Sequence, residues 1–246
     1  MQFTLLGPTP RLMHFARLLH LADSAIPTGS FAYSAGLESS ISLGLIRDDA
    51  GLRNYLYAYL QQAAGFEIPF VNSCFLLDAE AVWGGQRLTQ QRLRATEMVA
   101  EYDAQLLVPA LHRASAVQGR TWLKLLADFY PEAGIEQITQ WFAAEDVPPH
   151  FTLALGWGLR AAGYALPETR TMYLHMLLRD QLSAAIRLGL LGPLAGHRLQ
   201  HDFYAVFEHI LAGQEGRHFG EASRSAFMLE VAQVLHEDMY SRLFQN

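Results

Sequence analysis

LRNYLYAYLQQAAGF, residues 52–66, is the stretch that decides the fold. Its apolar side chains recur at spacings of four, three, four and three residues, at Leu52, Leu56, Tyr59, Ala63 and Phe66. That spacing places them on one face of an α-helix. The same period returns at residues 174–185 and again at residues 228–239, whereas the alternation typical of strands is hardly seen. The pattern predicts an all-α protein.

Glycine and proline clusters divide the chain between these periodic segments. Applying usual helix lengths to the boundaries predicts about eight to ten helices. Asp48, Pro167 and Glu168 are typical of helix starts. The apolar stretch from residue 151 to 166 predicts a buried helix with tight neighbours, because it holds three glycines. No stretch has the composition of a linker, so we expect one all-helical domain over residues 1–246.

Composition excludes several classes of function. The net charge of -6 and the scattered basic residues argue against nucleic-acid binding. No apolar run is long enough to span a bilayer, and the N-terminus lacks the layout of a signal peptide. The single cysteine, Cys74, fits a reducing compartment, so we expect a cytoplasmic protein. The glycine-rich loops that bind phosphates or dinucleotides are absent from the sequence.

Two patterns leave alternatives open. The string from Ala32 to Gly36 is one residue from the nucleophile elbow Gly-x-Ser-x-Gly, which would make Ser34 the nucleophile of a helical hydrolase. The residues before it form a loop, however, and a serine at the start of a helix is the commoner case. His197 and His201 share a helix face and could bind nickel or zinc in a stand-alone carrier, although solvated histidines at this spacing are common.

Three blocks in order resemble the urease accessory protein UreF family. The first is PTGSFAYSAGLE at residues 27–38, the second is SAAIRLG at residues 183–189, and the third is HEDMYSRLF at residues 236–244. The resemblance spans residues 18–244 and is weak between residues 84 and 150. It implies an all-helical, non-catalytic protein without a cofactor.

The resemblance also implies partners. Proteins of this family form homodimers, dock on the accessory protein UreD (also called UreH), and recruit or regulate the GTPase UreG. The assembly inserts nickel into apo-urease. On this basis the chain is predicted to be a nickel-insertion chaperone or adaptor.

Two groups of residues are predicted to bind these partners. We assign Glu38 and Arg187, with Tyr33 and Ser34 beside them, to the face that binds the GTPase; the alternative is an internal salt bridge between Glu38 and Arg187. The second group is the C-terminal tail that would dock on UreD or UreH, namely Tyr240, Ser241, Arg242, Leu243 and Phe244. An apolar, aromatic terminus is unusual unless it is ordered by packing, either on a partner or on the protein's own core.

Overall fold

The structure is a computed structural model that describes residues 10–77, 82–83 and 90–245. The α-helices with defined bounds are α1 Pro10–Leu21, α2 Leu37–Ser42, α3 Asp49–Gly65, α4 Glu67–Leu76, α5 Gln90–Gln105, α6 Pro109–Phe129, α7 Ile135–Ala144, α8 Phe151–Ala161, α9 Leu166–Arg187, α10 Pro193–Ala212 and α11 Phe227–Leu235. Short 3-10 turns lie at Ser30–Ala32, Phe219–Glu221 and His236–Asp238. None of the described residues lies in a strand, and the all-α, single-domain prediction is confirmed.

The helix starts follow from local chemistry. Asp48 caps α3, and its carboxylate accepts a hydrogen bond from the backbone N–H of Gly51 at 2.7 Å. Pro167 lies in the first turn of α9, where its missing N–H costs nothing. Glu168 accepts a hydrogen bond from the N–H of Ala165 at 2.8 Å. The three predicted start residues are therefore confirmed.

Helix α8 lies at the centre of the core, between α4 and α6. Every residue from Phe151 to Leu159 is buried, which confirms the predicted buried helix with tight neighbours. A Cβ on Gly156 would come within 2.9 Å of the Cys74 sulfur, so α8 and α4 approach closely because this position has no side chain. The helix ends at Ala161, before the turn at Gly163.

Two of the three periodic segments turn their apolar stripe to the core. The stripe of α3 and the stripe of α9 are almost wholly buried. The stripe expected on α11 is not: Met228 is 58% exposed and Leu235 is 38% exposed. The buried face of α11 is instead formed by Leu229, Ala232 and Gln233.

A chain crossing a bilayer as a helix needs about 20 consecutive apolar residues. Within the described ranges no helix combines that length with sufficient apolar character.

Candidate functional site

The loop at residues 27–38 is shaped by two glycines in backbone conformations that would strain other residues. Gly29 and Gly36 have φ values of 84° and 91°, in the left-handed region. Gly36 also permits a close approach of α11, because an added Cβ would lie 2.9 Å from the Gln233 side chain. The carbonyl oxygen of Ala35 accepts hydrogen bonds from Tyr55 and Gln233, each at 3.1 Å. The loop is therefore packed between α3 and α11.

Glu38 binds the C-terminal segment. Its side chain is only 7% exposed. One carboxylate oxygen accepts a hydrogen bond from the N–H of Leu243 at 2.6 Å. The other accepts from the N–H of Phe244 at 3.2 Å and lies 2.8 Å from Nε2 of the fully buried His236. Three polar groups of the C-terminal segment therefore surround this carboxyl.

Arg187 sits at the end of α9 between two aromatic rings. Its guanidinium lies 3.7 Å from the centroid of the Phe31 ring and 4.1 Å from that of Phe244. It also donates a hydrogen bond to the carbonyl oxygen of Phe31 at 2.6 Å. Desolvation lowers the pKa of Arg187, and the nearby charge of Glu38 acts in the opposite direction. The three segments singled out by sequence thus meet in one cluster, which we call the tail clamp (Phe31, Glu38, Arg187, His236 and Phe244).

Glu38 and Arg187 are brought together, yet their hydrogen bonds go to other groups. The carboxylate holds the backbone of the tail, and the guanidinium stacks on aromatic rings from the loop and the tail. The alternative of an internal salt bridge between Glu38 and Arg187 therefore does not account for the position of either side chain. Only part of this clamp faces solvent, where Phe31 is 62% exposed.

Tyr33 and Ser34 lie beside the clamp in different environments. Tyr33 is half-buried and lines a central cavity of about 140 Å³. Ser34 is fully buried and follows a 3-10 turn, not a strand. A nucleophile elbow requires a strand before the serine and an exposed hydroxyl. The geometry at Ser34 has neither feature.

The predicted docking tail divides into an anchored and an exposed part. Phe244 is 5% exposed and packs against the chain's own core, and the N–H of Gln245 donates to the carbonyl oxygen of Ala32 at 2.8 Å. Ser241 and Arg242 are exposed. Tyr240 is fully exposed and Leu243 is 55% exposed. Packing on the protein's own core therefore accounts for Phe244, and leaves two large apolar side chains in solvent.

More exposed apolar side chains lie on α11, just before the tail. Together with the tail they form what we call the C-terminal apolar set: Phe227, Met228, Val234, Leu235, Tyr240 and Leu243. Phe227 and Met228 also line a groove of about 490 Å³, shared with Leu45 and other residues of the α2–α3 region. Exposed apolar side chains grouped in this way are typical of protein interfaces.

The two histidines suggested by sequence lie on the same helix. His197 and His201 are exposed on α10, and neither belongs to a group of three potential metal ligands in the part of the chain that the structure describes. Such a group exists elsewhere: Asp103, His112 and His150 have ligand atoms within 4.8 Å of one another. No local sequence pattern marks this cluster, because its members are 9 and 38 residues apart and lie on different elements.

The central cavity contains a buried carboxyl. Glu67 lines it, and one of its carboxyl oxygens is buried without a hydrogen-bond partner. Burial raises the pKa of Glu67 to about 7, although the positive charge of Arg224 opposes this shift. The carboxyl therefore changes its charge near neutral pH.

Comparisons with known proteins agree with this architecture. The model of the UreF family matches residues 46–204. Urease accessory protein UreF of Azoarcus sp. (strain BH72) is 30% identical over 245 residues, which cover 98% of this chain and 99% of the relative. The UreF of Paenarthrobacter aurescens (strain TC1) is 30% identical over 232 residues, covering 93% and 96%. Urease accessory protein F of Oryza sativa subsp. indica is 28% identical over 226 residues, covering 91% and 82%.

The class that these matches define is the urease accessory proteins, the name that the relatives carry. Within that class, the chain belongs to the UreF family. The family model does not reach the first and third sequence blocks, but the alignment with the Azoarcus protein spans nearly the whole chain.

Proposed function

We propose that this chain is a non-catalytic adaptor that acts in the cytoplasm during maturation of the urease nickel centre. It docks on UreD or UreH, recruits the GTPase UreG, and works as a homodimer. The observation that carries the proposal is the exposed C-terminal apolar set, whose tail part is positioned by the hydrogen bond from the N–H of Leu243 to Glu38. Membership of the UreF family supports partners among the other urease accessory proteins.

The tail binds UreD or UreH through its exposed side chains. Tyr240 and Leu243 are large apolar side chains that the monomer leaves in solvent. A few side chains buried at an interface, aromatic ones above all, supply much of its binding energy. Glu38 and Phe244 act as positioning residues, because they fix the backbone that carries Leu243. A pre-positioned segment loses less conformational entropy when it binds.

Docking is tested by pull-down of purified UreD or UreH with a Tyr240→Ser, Leu243→Ser double variant. We expect affinity to fall roughly a hundredfold, the result of losing two buried apolar anchors at about 1.5 kcal/mol each. Leu194→Ser is the matched control, since Leu194 is 66% exposed on α10 and does not belong to the C-terminal apolar set. Unchanged binding of the double variant, or an equal loss in the control, contradicts the docking assignment.

The GTPase binds the solvent-facing side of the tail clamp, with Arg187 as its charged contact and Tyr33 and Ser34 supporting the loop from behind. Phe31 and Arg187 form a partly exposed aromatic and cationic pair, a combination enriched in interfaces. Because Glu38 is buried against the tail, it acts on this face through the shape of the loop. In a homodimer, two-fold symmetry presents two such faces and holds two GTPase subunits.

The variant Arg187→Glu tests this face. We expect it to abolish co-purification of UreG while leaving UreD or UreH bound. Arg198→Glu reverses an exposed charge on α10 and is the matched control. Retention of UreG by the Arg187 variant overturns the assignment, and loss with both variants points to net charge alone.

Homodimer formation is assigned to an apolar stripe on α1. Leu12, Phe15 and Leu19 are each more than half exposed and follow one another at helical spacing. Such a stripe pairs with its own copy across a two-fold axis. Phe15→Glu is expected to give a monomer in analytical ultracentrifugation, whereas a persisting dimer places the contact elsewhere.

A further inference from the structure

Asp103, His112 and His150 come from three elements and meet at one point. Asp103 lies in the last turn of α5, His112 in the first turn of α6, and His150 directly before α8. One carboxylate oxygen of Asp103 lies 2.7 Å from Nε2 of His112 and 2.9 Å from Nε2 of His150. The two imidazole rings are 4.9 Å apart at 82°.

The surroundings hold this arrangement in place. The main chain at residues 149–150 lies against α6, where a Cβ on Gly119 would come within 1.7 Å of the carbonyl oxygen of Pro149. The N–H of Phe151 donates to the hydroxyl of Ser115 on α6 at 3.1 Å. His150 is therefore fixed relative to His112 by backbone contacts. Supporting contacts of this kind pre-organise a metal-binding site.

The cluster is open on one side. The side chain of His150 is fully buried, whereas that of His112 is 35% exposed and that of Asp103 is 40% exposed. Nδ1 of His150 is buried without a hydrogen-bond partner, so hydrogen bonding satisfies only one side of this ring. Two imidazoles and one carboxylate with access to solvent are the donor set of an open zinc or nickel site.

We propose that Asp103, His112 and His150 bind one divalent transition-metal ion of the zinc and nickel type, with water completing its coordination. Ligands about 2.1 Å from a tetrahedral ion lie about 3.4 Å apart, so the carboxylate has to withdraw by roughly 0.6 Å. Asp103 has the freedom to do so because its side chain is partly in solvent. None of its three residues belongs to the tail clamp or to the C-terminal apolar set.

Equilibrium dialysis of the tag-free, chelator-treated full chain against Zn²⁺ and, separately, Ni²⁺ tests the site. We expect one ion per chain in at least one arm, and the two arms show which ion is preferred. His112→Ala and Asp103→Asn each reduce affinity roughly tenfold or more, since even supporting partners of a ligand are worth that much. The matched control is the double variant His197→Ala, His201→Ala, which removes two exposed histidines and keeps wild-type affinity.

X-ray absorption of the metal-loaded protein gives a readout that does not depend on the ligand variants folding. Two imidazole ligands are expected for the wild-type chain and for the His197, His201 double variant alike. Failure to bind either ion at micromolar concentration, or loss of the imidazole ligands in the double variant, overturns the proposal. In that event the cluster is a hydrogen-bonded clamp between α5, α6 and the start of α8.

Discussion

Replacing Glu38 with glutamine separates its role as a positioning residue from direct contact with a partner. The variant keeps the size of the side chain but replaces one acceptor with an NH2 group that faces the donors of the tail. Hydrogen bonds to a charged group contribute about 1.5–3 kcal/mol each, so weakening the bonds to Leu243 and Phe244 costs about 3 kcal/mol. That loss falls on the tail, because both backbone amides belong to it.

Amide hydrogen exchange measured by mass spectrometry on the C-terminal peptide reports this loss. A loss of about 3 kcal/mol speeds exchange of the Leu243 and Phe244 amides roughly a hundredfold when they exchange by local opening. Amides of α8, in the centre of the core, are expected to keep their protection.

Glu237→Gln is the control for the Glu38 variant. Glu237 is next to His236, but its carboxylate is half exposed and lies 3.5 Å from Arg113, outside the tail clamp. In the Glu237→Gln variant, the Leu243 and Phe244 amides are expected to exchange at the wild-type rate. If Glu38→Gln also leaves the tail amides protected while partner binding falls, Glu38 acts by direct contact and the positioning role is refuted.

Two other substitutions test the fold around the site. Gly36→Ala is expected to lower the free energy of unfolding by about 1–3 kcal/mol through its positive φ, and by a further amount through the clash with Gln233. Gly163→Ala is the control, because φ is 87° there and no atom lies within 4 Å of an added Cβ, so only the backbone strain remains. If chemical denaturation gives equal losses for the two variants, the close approach at Gly36 is contradicted. Burial of Glu67 penalises its charged form, so stability should fall as pH rises from about 4.5 to about 7 and then stay level. Glu67→Gln is expected to remove this dependence of stability on pH and to be roughly 3 kcal/mol more stable than wild type at pH 8. Glu97→Gln, at an exposed position, is the control and should keep the wild-type pH dependence. An unchanged pH dependence in Glu67→Gln refutes the raised pKa of Glu67.

The tail clamp shows how far sequence blocks carry a site prediction. The blocks around Glu38, Arg187 and Phe244 were singled out separately, and the structure brings all three together. Their assignment to two partner surfaces rests on the family resemblance together with the unusual apolar, aromatic terminus and the charged residues within the first two blocks. The structure adds that residues proposed for the GTPase face and for the docking tail share one cluster, because the tail folds back on the loop.

Helical periodicity determined the all-α class, since apolar residues at a period near 3.6 have only one way to share a face. Capping chemistry determined the starts of α3 and α9, because those interactions are made within a few residues. Tertiary structure alone decided which side of α11 is buried, since the small residues Ala232 and Gly36 allow contact there and leave the larger apolar stripe in solvent. It alone also assembled Asp103, His112 and His150, because contacts between residues distant in the chain depend on how helices pack and leave no local pattern.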